Sequence, residues 1–119
     1  MDVLHTALWV SDLDETRAFY EGTLGLSFTR DLEGDDGVYN YFVAGESDTE
    51  IQFKPVDDGD VDPGGIDHVA VAVESVDDVL EGLDDDRVTD GPMELDELDV
   101  RIAFVTDPDG YGVELIEDL

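Results

Sequence analysis

The chain has two histidines, His5 and His68, and they hold matching places in a repeated pattern. HTALWVSDLDE, from His5, lies over HVAVAVESVDD, from His68, with Ala7 on Ala70, Val10 on Val73 and Asp14 on Asp77, an offset of 63 residues. Later in each half an apolar segment carries a carboxylate, Glu50 in TEIQF and Glu114 in VELIE, 64 residues apart. A single histidine on a strand is usually a surface residue, and a glutamate in an acidic chain is usually solvated. Recurrence of both at the same places singles these four out. Neutral imidazoles with hard carboxylates suit a divalent first-row ion that keeps water in its open positions. Such an ion would also give Glu114, set between Val113 and Leu115, the partner a carboxylate needs when it leaves water. With no cysteine in the chain, a thiolate metal site, a cysteine nucleophile and a disulfide framework are all excluded.

Strands are the elements that must position these groups. Strand side chains alternate, so His5, Ala7 and Trp9 share a face, as do Glu50, Gln52 and Lys54. His68 lies with Ala70 and Ala72, and Glu114 with Gly112 and Ile116. Small residues beside both histidines leave the open space a ligand cavity needs. In the first half VLHTALWV reads as a strand. SDLDETRAFYEGTLG follows as a helix that Ser11 or Asp12 can cap and Gly25 can close. LSFTRDL and VYNYFVA are strands separated by the turn-forming EGDDG, and TEIQFK ends the unit. In the second half IDHVAVAV is a strand, SVDDVLEGL a short helix, and residues 87–89 a weak strand. DVRIAFV, a DPDG type I turn and GVELIE complete it. Charge and Pro92 blur the period across 84–99. The pattern therefore predicts one α+β domain, 1–119, made of a first module over 1–55, a linker over 56–65 and a second module over 66–119.

Composition sets the remaining bounds. Length predicts one domain, small for a self-contained enzyme cleft, which favours dimerisation. Acidic residues number 34 against 5 basic ones, a formal net charge of −29, with Lys54 the sole lysine. High charge can mean disorder, but 41% apolar residues in periodic segments indicate a packed core with the charge at its surface. Carboxylate repulsion of this size destabilises a compact state in ordinary buffer and is screened at about 1 M salt, where the Debye length is roughly 3 Å. A protein adapted to a high-salt cytoplasm is the expectation. The charge opposes nucleic-acid binding. No apolar run approaches the ~20 residues of a membrane span and the N-terminus lacks a basic signal-peptide start, so a cytoplasmic protein without membrane contact is expected.

The segments HTALWVSDL, FYEGTLGL, EIQF, DHVAVAV and IAFVTDPDGYGVELIE resemble the vicinal oxygen chelate superfamily, and within it bacterial-type glyoxalase I, over nearly the whole chain. The resemblance implies two βαβββ modules whose strands form a cupped mixed sheet around one metal ion. It also implies a homodimer in which both chains contribute a module to each site. It assigns His5, Glu50, His68 and Glu114 as metal ligands. The His, Glu, His, Glu set is that of glyoxalase I. Ring-cleaving dioxygenases and fosfomycin-resistance thiol transferases typically use two histidines and one glutamate, and methylmalonyl-CoA epimerases usually have Gln at the place of Glu50. The implied cofactor is one divalent ion per site, nickel or cobalt first, with zinc, manganese and iron as the other options.

By the same resemblance the activity is conversion of a methylglyoxal hemithioacetal to a 2-hydroxyacyl thioester, with Glu114 the principal base and Glu50 its symmetric partner. Glutathione enzymes of the family usually place Arg and Asn where this chain has Trp9 and Lys54. The loop before IAFV, often basic in relatives, reads MELDELDVR, with Arg101 its one positive residue. Trp9, Lys54 and Arg101 are thus the candidate substrate-binding residues, and the identity of the thiol stays open. Epimerase or dioxygenase chemistry, and non-catalytic binding of a metal or small ligand, are the alternatives.

Overall fold

The computed structural model describes all 119 residues, Met1–Leu119, as two compact units, Met1–Val61 and Asp62–Leu119. In the first, β1 (His5–Val10) leads to α1 (Leu13–Arg17), which widens into π-helical turns over Ala18–Thr23; β2 (Ser27–Glu33), β3 (Tyr39–Ala44) and β4 (Glu50–Pro55) follow. The second runs β5 (Val69–Ala72), α2 (Val76–Glu81), β6 (Val88–Leu95), β7 (Val100–Thr106) and β8 (Gly112–Asp118). Each unit has one mixed four-stranded sheet, ordered β1-β4-β3-β2 and β5-β8-β7-β6. The first and last strands of each unit pair in parallel, and the other neighbours are antiparallel. The class is α+β, and both units are βαβββ.

Alternation along the strands gives each sheet a packed face and an open face. In the first unit Leu8, Val10, Tyr41, Val43 and Phe53 are buried together with Phe19 and Tyr20 of the helical segment, and the Tyr20 and Phe53 rings meet at 4.8 Å between centroids. Burying side chains of this size, at about 25 cal/mol per Å² of apolar surface, is what holds the helix on the sheet. Of the two candidate caps it is Asp12 that accepts from the Glu15 backbone N–H, at 3.1 Å. Gly25, at φ +80°, closes the segment in the left-handed conformation that glycine adopts without strain.

In the second unit Val76, Ala103, Val105, Val113 and Leu115 are fully buried. Ser75 caps α2 by accepting from the Asp78 N–H at 3.2 Å. The strand read weakly at 87–89 extends through Leu95 as β6, with register shifts around Asp90. β6 is an edge strand, which is where proline is tolerated because its missing N–H breaks no ladder.

The DPDG turn is fastened by its first residue. Asp107, 1% exposed, accepts through Oδ1 from the N–H groups of Asp109 (2.8 Å) and Tyr111 (3.0 Å), while its carbonyl accepts from Arg87 Nη1 at 3.0 Å. This turn sets where β8, and so Glu114, begins. Asp107→Ala should lower stability by about 1–3 kcal/mol by leaving buried N–H groups unpaired, with Asp107→Asn recovering part of it. An unchanged denaturant midpoint in the alanine variant would show that the carboxylate does not hold the turn. No helix is long and apolar enough to cross a membrane.

Candidate functional site

On the open face of the first sheet, parallel pairing puts His5 opposite Glu50, Ala7 opposite Gln52 and Trp9 opposite Lys54. Their neighbours on β1, Leu8 and Val10, point into the core, so period-two alternation forces these residues outward. His5 meets Phe42 edge-on, with 5.8 Å between ring centroids. Glu50 is held by Arg30, whose Nη2 donates to Oε1 at 3.0 Å and whose Nε donates to Oε2 at 3.2 Å; the Thr29 hydroxyl also donates to Oε2. The hydrogen bonds from Arg30, and then that from Thr29, hold the Glu50 carboxyl below the usual carboxylate range. The stabilisation this implies is present above glutamate's ordinary pKa and is lost as pH falls through the depressed value.

The second sheet repeats the arrangement with different neighbours. Val113 and Leu115 are 0% exposed and face the core, which turns Glu114 to the open face with Ala70 as its parallel partner and Phe104 as its antiparallel one. Glu114 Oε1 lies 3.3 Å from His68 Nε2. His68 meets Phe104 edge-on at 5.7 Å, as His5 meets Phe42. The opposite ring nitrogen, Nδ1, is 2.7 Å from Asp67 Oδ2, and this hydrogen bond raises the imidazole pKa. A carboxylate on Nδ1 fixes the ring so that Nε2 points at Glu114, the arrangement seen around ligating histidines.

Gly112 makes the close pairing possible. A Cβ there would stand 2.7 Å from the Asp67 carbonyl oxygen and 3.5 Å from the His68 Cβ, so any larger residue pushes the start of β5 away from β8. Gly112→Ala is expected to cost about 1–3 kcal/mol, the scale of overpacking, and to move His68 off Glu114. Thermal unfolding checks the first effect and the His68 ring NMR shifts the second; both unchanged would mean that β5 yields freely.

A first-row ion binds His nitrogen and carboxylate oxygen at roughly 2.0–2.2 Å, and the 3.3 Å separation of His68 Nε2 and Glu114 Oε1 is compatible with neighbouring donors on one such ion. Neither unit alone gathers three His, Asp or Glu side chains placed to hold one ion. Each pair by itself falls short of the three protein ligands of a typical catalytic ion. The donor types and pairing fit a divalent ion.

Residues 2–115 match the profile of the Glyoxalase/Bleomycin resistance protein/Dioxygenase superfamily. The chain belongs to this superfamily. Among glyoxalase-superfamily relatives, it is 34% identical to the lactoylglutathione lyase of Haemophilus influenzae over 129 aligned positions, covering 99% of this chain and 93% of that one. The trypanothione-dependent glyoxalase I of Leishmania major superposes with a TM-score of 0.77 at 25% identity, over 99% of this chain and 87% of that one. The antibiotic-binding protein TnmS3 of Streptomyces sp. CB03234 does so with 0.76 at 25% identity, over 100% and 97%.

The remaining expected site residues of this glyoxalase-superfamily chain fall in two places. Trp9 and Lys54 are together on the open face: Lys54 Nζ stands 4.8 Å from the Trp9 ring centroid, and Trp9 is 48% exposed. Arg101 is on the packed face of β7, where Nη2 donates to Asp77 Oδ1 of α2 at 2.9 Å and Nη1 is 3.9 Å from Glu94. Alternation turns it away from Phe104, so Arg101 serves the α2 interface rather than the open face that carries Glu114. Sequence spacing passed over Asp67, Thr29 and Arg30. Asp67 adjoins His68 but is lost in a chain rich in acids, and the contacts of Thr29 and Arg30 depend on a cross-strand register.

Proposed function

We propose that the chain is a metal-dependent lyase of the glyoxalase I type, which isomerises the hemithioacetal of methylglyoxal and a small thiol to a 2-hydroxyacyl thioester. The observation that carries it is the approach of Glu114 to His68 on an open sheet face, in a chain whose relatives include lactoylglutathione lyases. His5, Glu50, His68 and Glu114 would hold the ion, nickel or cobalt before zinc, manganese or iron, with the two pairs combined in a homodimer. When bound, the ion supplies Lewis-acid stabilisation of the oxyanion that develops as the substrate becomes an enediolate.

The chain's own part is proton transfer and binding. Glu114 takes the proton from the carbon bearing sulfur and returns it to the adjacent carbonyl carbon, while the hydroxyl proton of the first carbon passes to the oxygen of the second, so the product has the composition of the substrate. Glu50, tied to Arg30, stays ionised as the partner carboxylate. Trp9 and Lys54 offer the thiol portion an aromatic surface and a point charge; without a guanidinium fork they lack a bidentate grip on a carboxylate.

The test is thioester formation from methylglyoxal with a panel of thiols in molar KCl, after loading the apoprotein separately with nickel, cobalt, zinc and manganese. Turnover with at least one pairing is expected, and silence across the panel would overturn the reading. Similarity to an antibiotic-binding protein favours a second reading, a non-catalytic binding module. Its mark would be saturable small-ligand binding without turnover by metal-loaded protein.

A further inference from the structure

The two glutamates of the repeat have unlike surroundings. Phe42 and Phe104 occupy equivalent places, each edge-on to the histidine of its unit. On the neighbouring strand Phe42 pairs with Arg30, whereas Phe104 pairs with Asp90. One unit thus has a cation, and the other an anion, at the same place in the sheet.

Arg30 reaches its place through a bulge. The β2–β3 register shifts between Phe28, opposite Val43, and Arg30, opposite Phe42. Unbroken alternation would put Phe28 and Arg30 on one face, but their partners Val43 and Phe42 are consecutive residues of β3 and so face opposite sides, Phe42 on the side of Gln52 and buried there beneath Arg30. Accordingly Phe28 turns to Tyr41, at 5.0 Å between centroids, and the Arg30 guanidinium stacks 4.0 Å over Phe42. Thr29 and Arg30 both end up donating to Glu50. Bulges commonly re-aim a side chain in this way beside active sites.

A carboxylate offers about four lone-pair sites. The guanidinium grips both oxygens of Glu50, Nη2 on Oε1 at 3.0 Å and Nε shared between Oε2 at 3.2 Å and Oε1 at 3.3 Å, and the Thr29 hydroxyl adds a donor on Oε2. Glu114 has no guanidinium partner; its ionic contact is with His68.

We infer that Arg30 is a positioning residue, which with Thr29 fixes Glu50 as a static metal ligand and leaves Glu114 as the carboxylate free to move a proton. The inference rests on the proposed metal-dependent reading and adds a division of labour between two glutamates that the repeat makes formally equivalent. Arg30 acts through Glu50, the group its guanidinium holds.

Cobalt(II) affinity, measured by chelator competition without substrate, tests it in the full-length protein in molar KCl. Arg30→Met, which keeps an unbranched stem and removes the fork, should weaken cobalt binding by roughly 10–100-fold, the effect of losing a partner that orients a ligand, and should alter the cobalt absorption spectrum. In a Glu50→Gln background the same substitution should change affinity less than about twofold, because the group it orients is gone. Arg30→Lys should recover only part of the loss, since an ammonium has no planar fork. Thermal midpoints measured alongside establish that the variants are folded.

Unchanged or tighter cobalt binding by Arg30→Met, or equal losses in both backgrounds, would overturn the role of Arg30. Wild-type protein that binds no cobalt, nickel, zinc or manganese would overturn the metal reading beneath it. Normal metal coupling with no thioester formed would sustain the Arg30 inference and remove only the reaction assigned to the site.

Discussion

Glu114→Gln is expected to lower kcat for thioester formation by roughly 10²–10⁴-fold, the contribution of a positioned general base, with the fold intact. Glutamine keeps the shape and one donor oxygen of the side chain but has no basic oxygen to receive a proton. The neighbours that set its direction, Val113 and Leu115, stay buried, so β8 has no reason to move. A carboxylate is a weak base for a carbon acid; a bound ion that polarised the substrate carbonyl would narrow that gap. Lewis-acid activation alone cannot carry the proton between carbons, which makes the loss large. Single-turnover kinetics with metal content measured on the same samples separates loss of the base from loss of a ligand. Turnover within a few-fold of wild type at equal metal content would remove Glu114 as the base.

The strands that carry the four candidate ligands were legible because alternation is a local property. Leu8 and Val10 against His5 and Trp9, and Val113 and Leu115 against Glu114, already separate two faces without a structure. β6 was largely hidden because Pro92 and the surrounding acids mask its period, and its edge position relaxes the rule that would exclude proline. Arg30 was illegible for a different reason. Its distance from Glu50 in sequence says nothing, and simple alternation places it with Phe28. A register shift turns it to the other face, and such a shift comes from the pairing of two strands. Arg101 misleads for the complementary reason: its charge suits an anionic substrate, but its parity on β7 sends it to Asp77.

The other large expected effect is on the fold: raising KCl from 0.1 M to 2 M should raise the thermal midpoint by about 10 °C or more, at about 4–8 °C per kcal/mol for a domain near 100 residues. The five basic residues offer the surface little relief. Arg17 is tied to Glu21, Arg30 to Glu50 and Arg101 to Asp77; Arg87 donates to main-chain carbonyls, and Lys54 lies over Trp9. Most of the 34 acids are therefore offset only by solvent ions. Two unit charges 10 Å apart in water repel by about 0.4 kcal/mol before screening, and a few tens of such neighbours amount to several kcal/mol against a typical stability of about 5–15 kcal/mol. The Debye length falls from about 10 Å at 0.1 M to roughly 3 Å at 1 M, which removes most of that repulsion. If screening is the cause, replacing exposed Asp85, Asp86, Asp96 and Glu97 by their amides should raise the midpoint at low salt and flatten its dependence on KCl. A midpoint independent of salt in the wild type would mean that the carboxylates repel too weakly to matter, and equal salt slopes in both proteins would assign the effect to something other than charge.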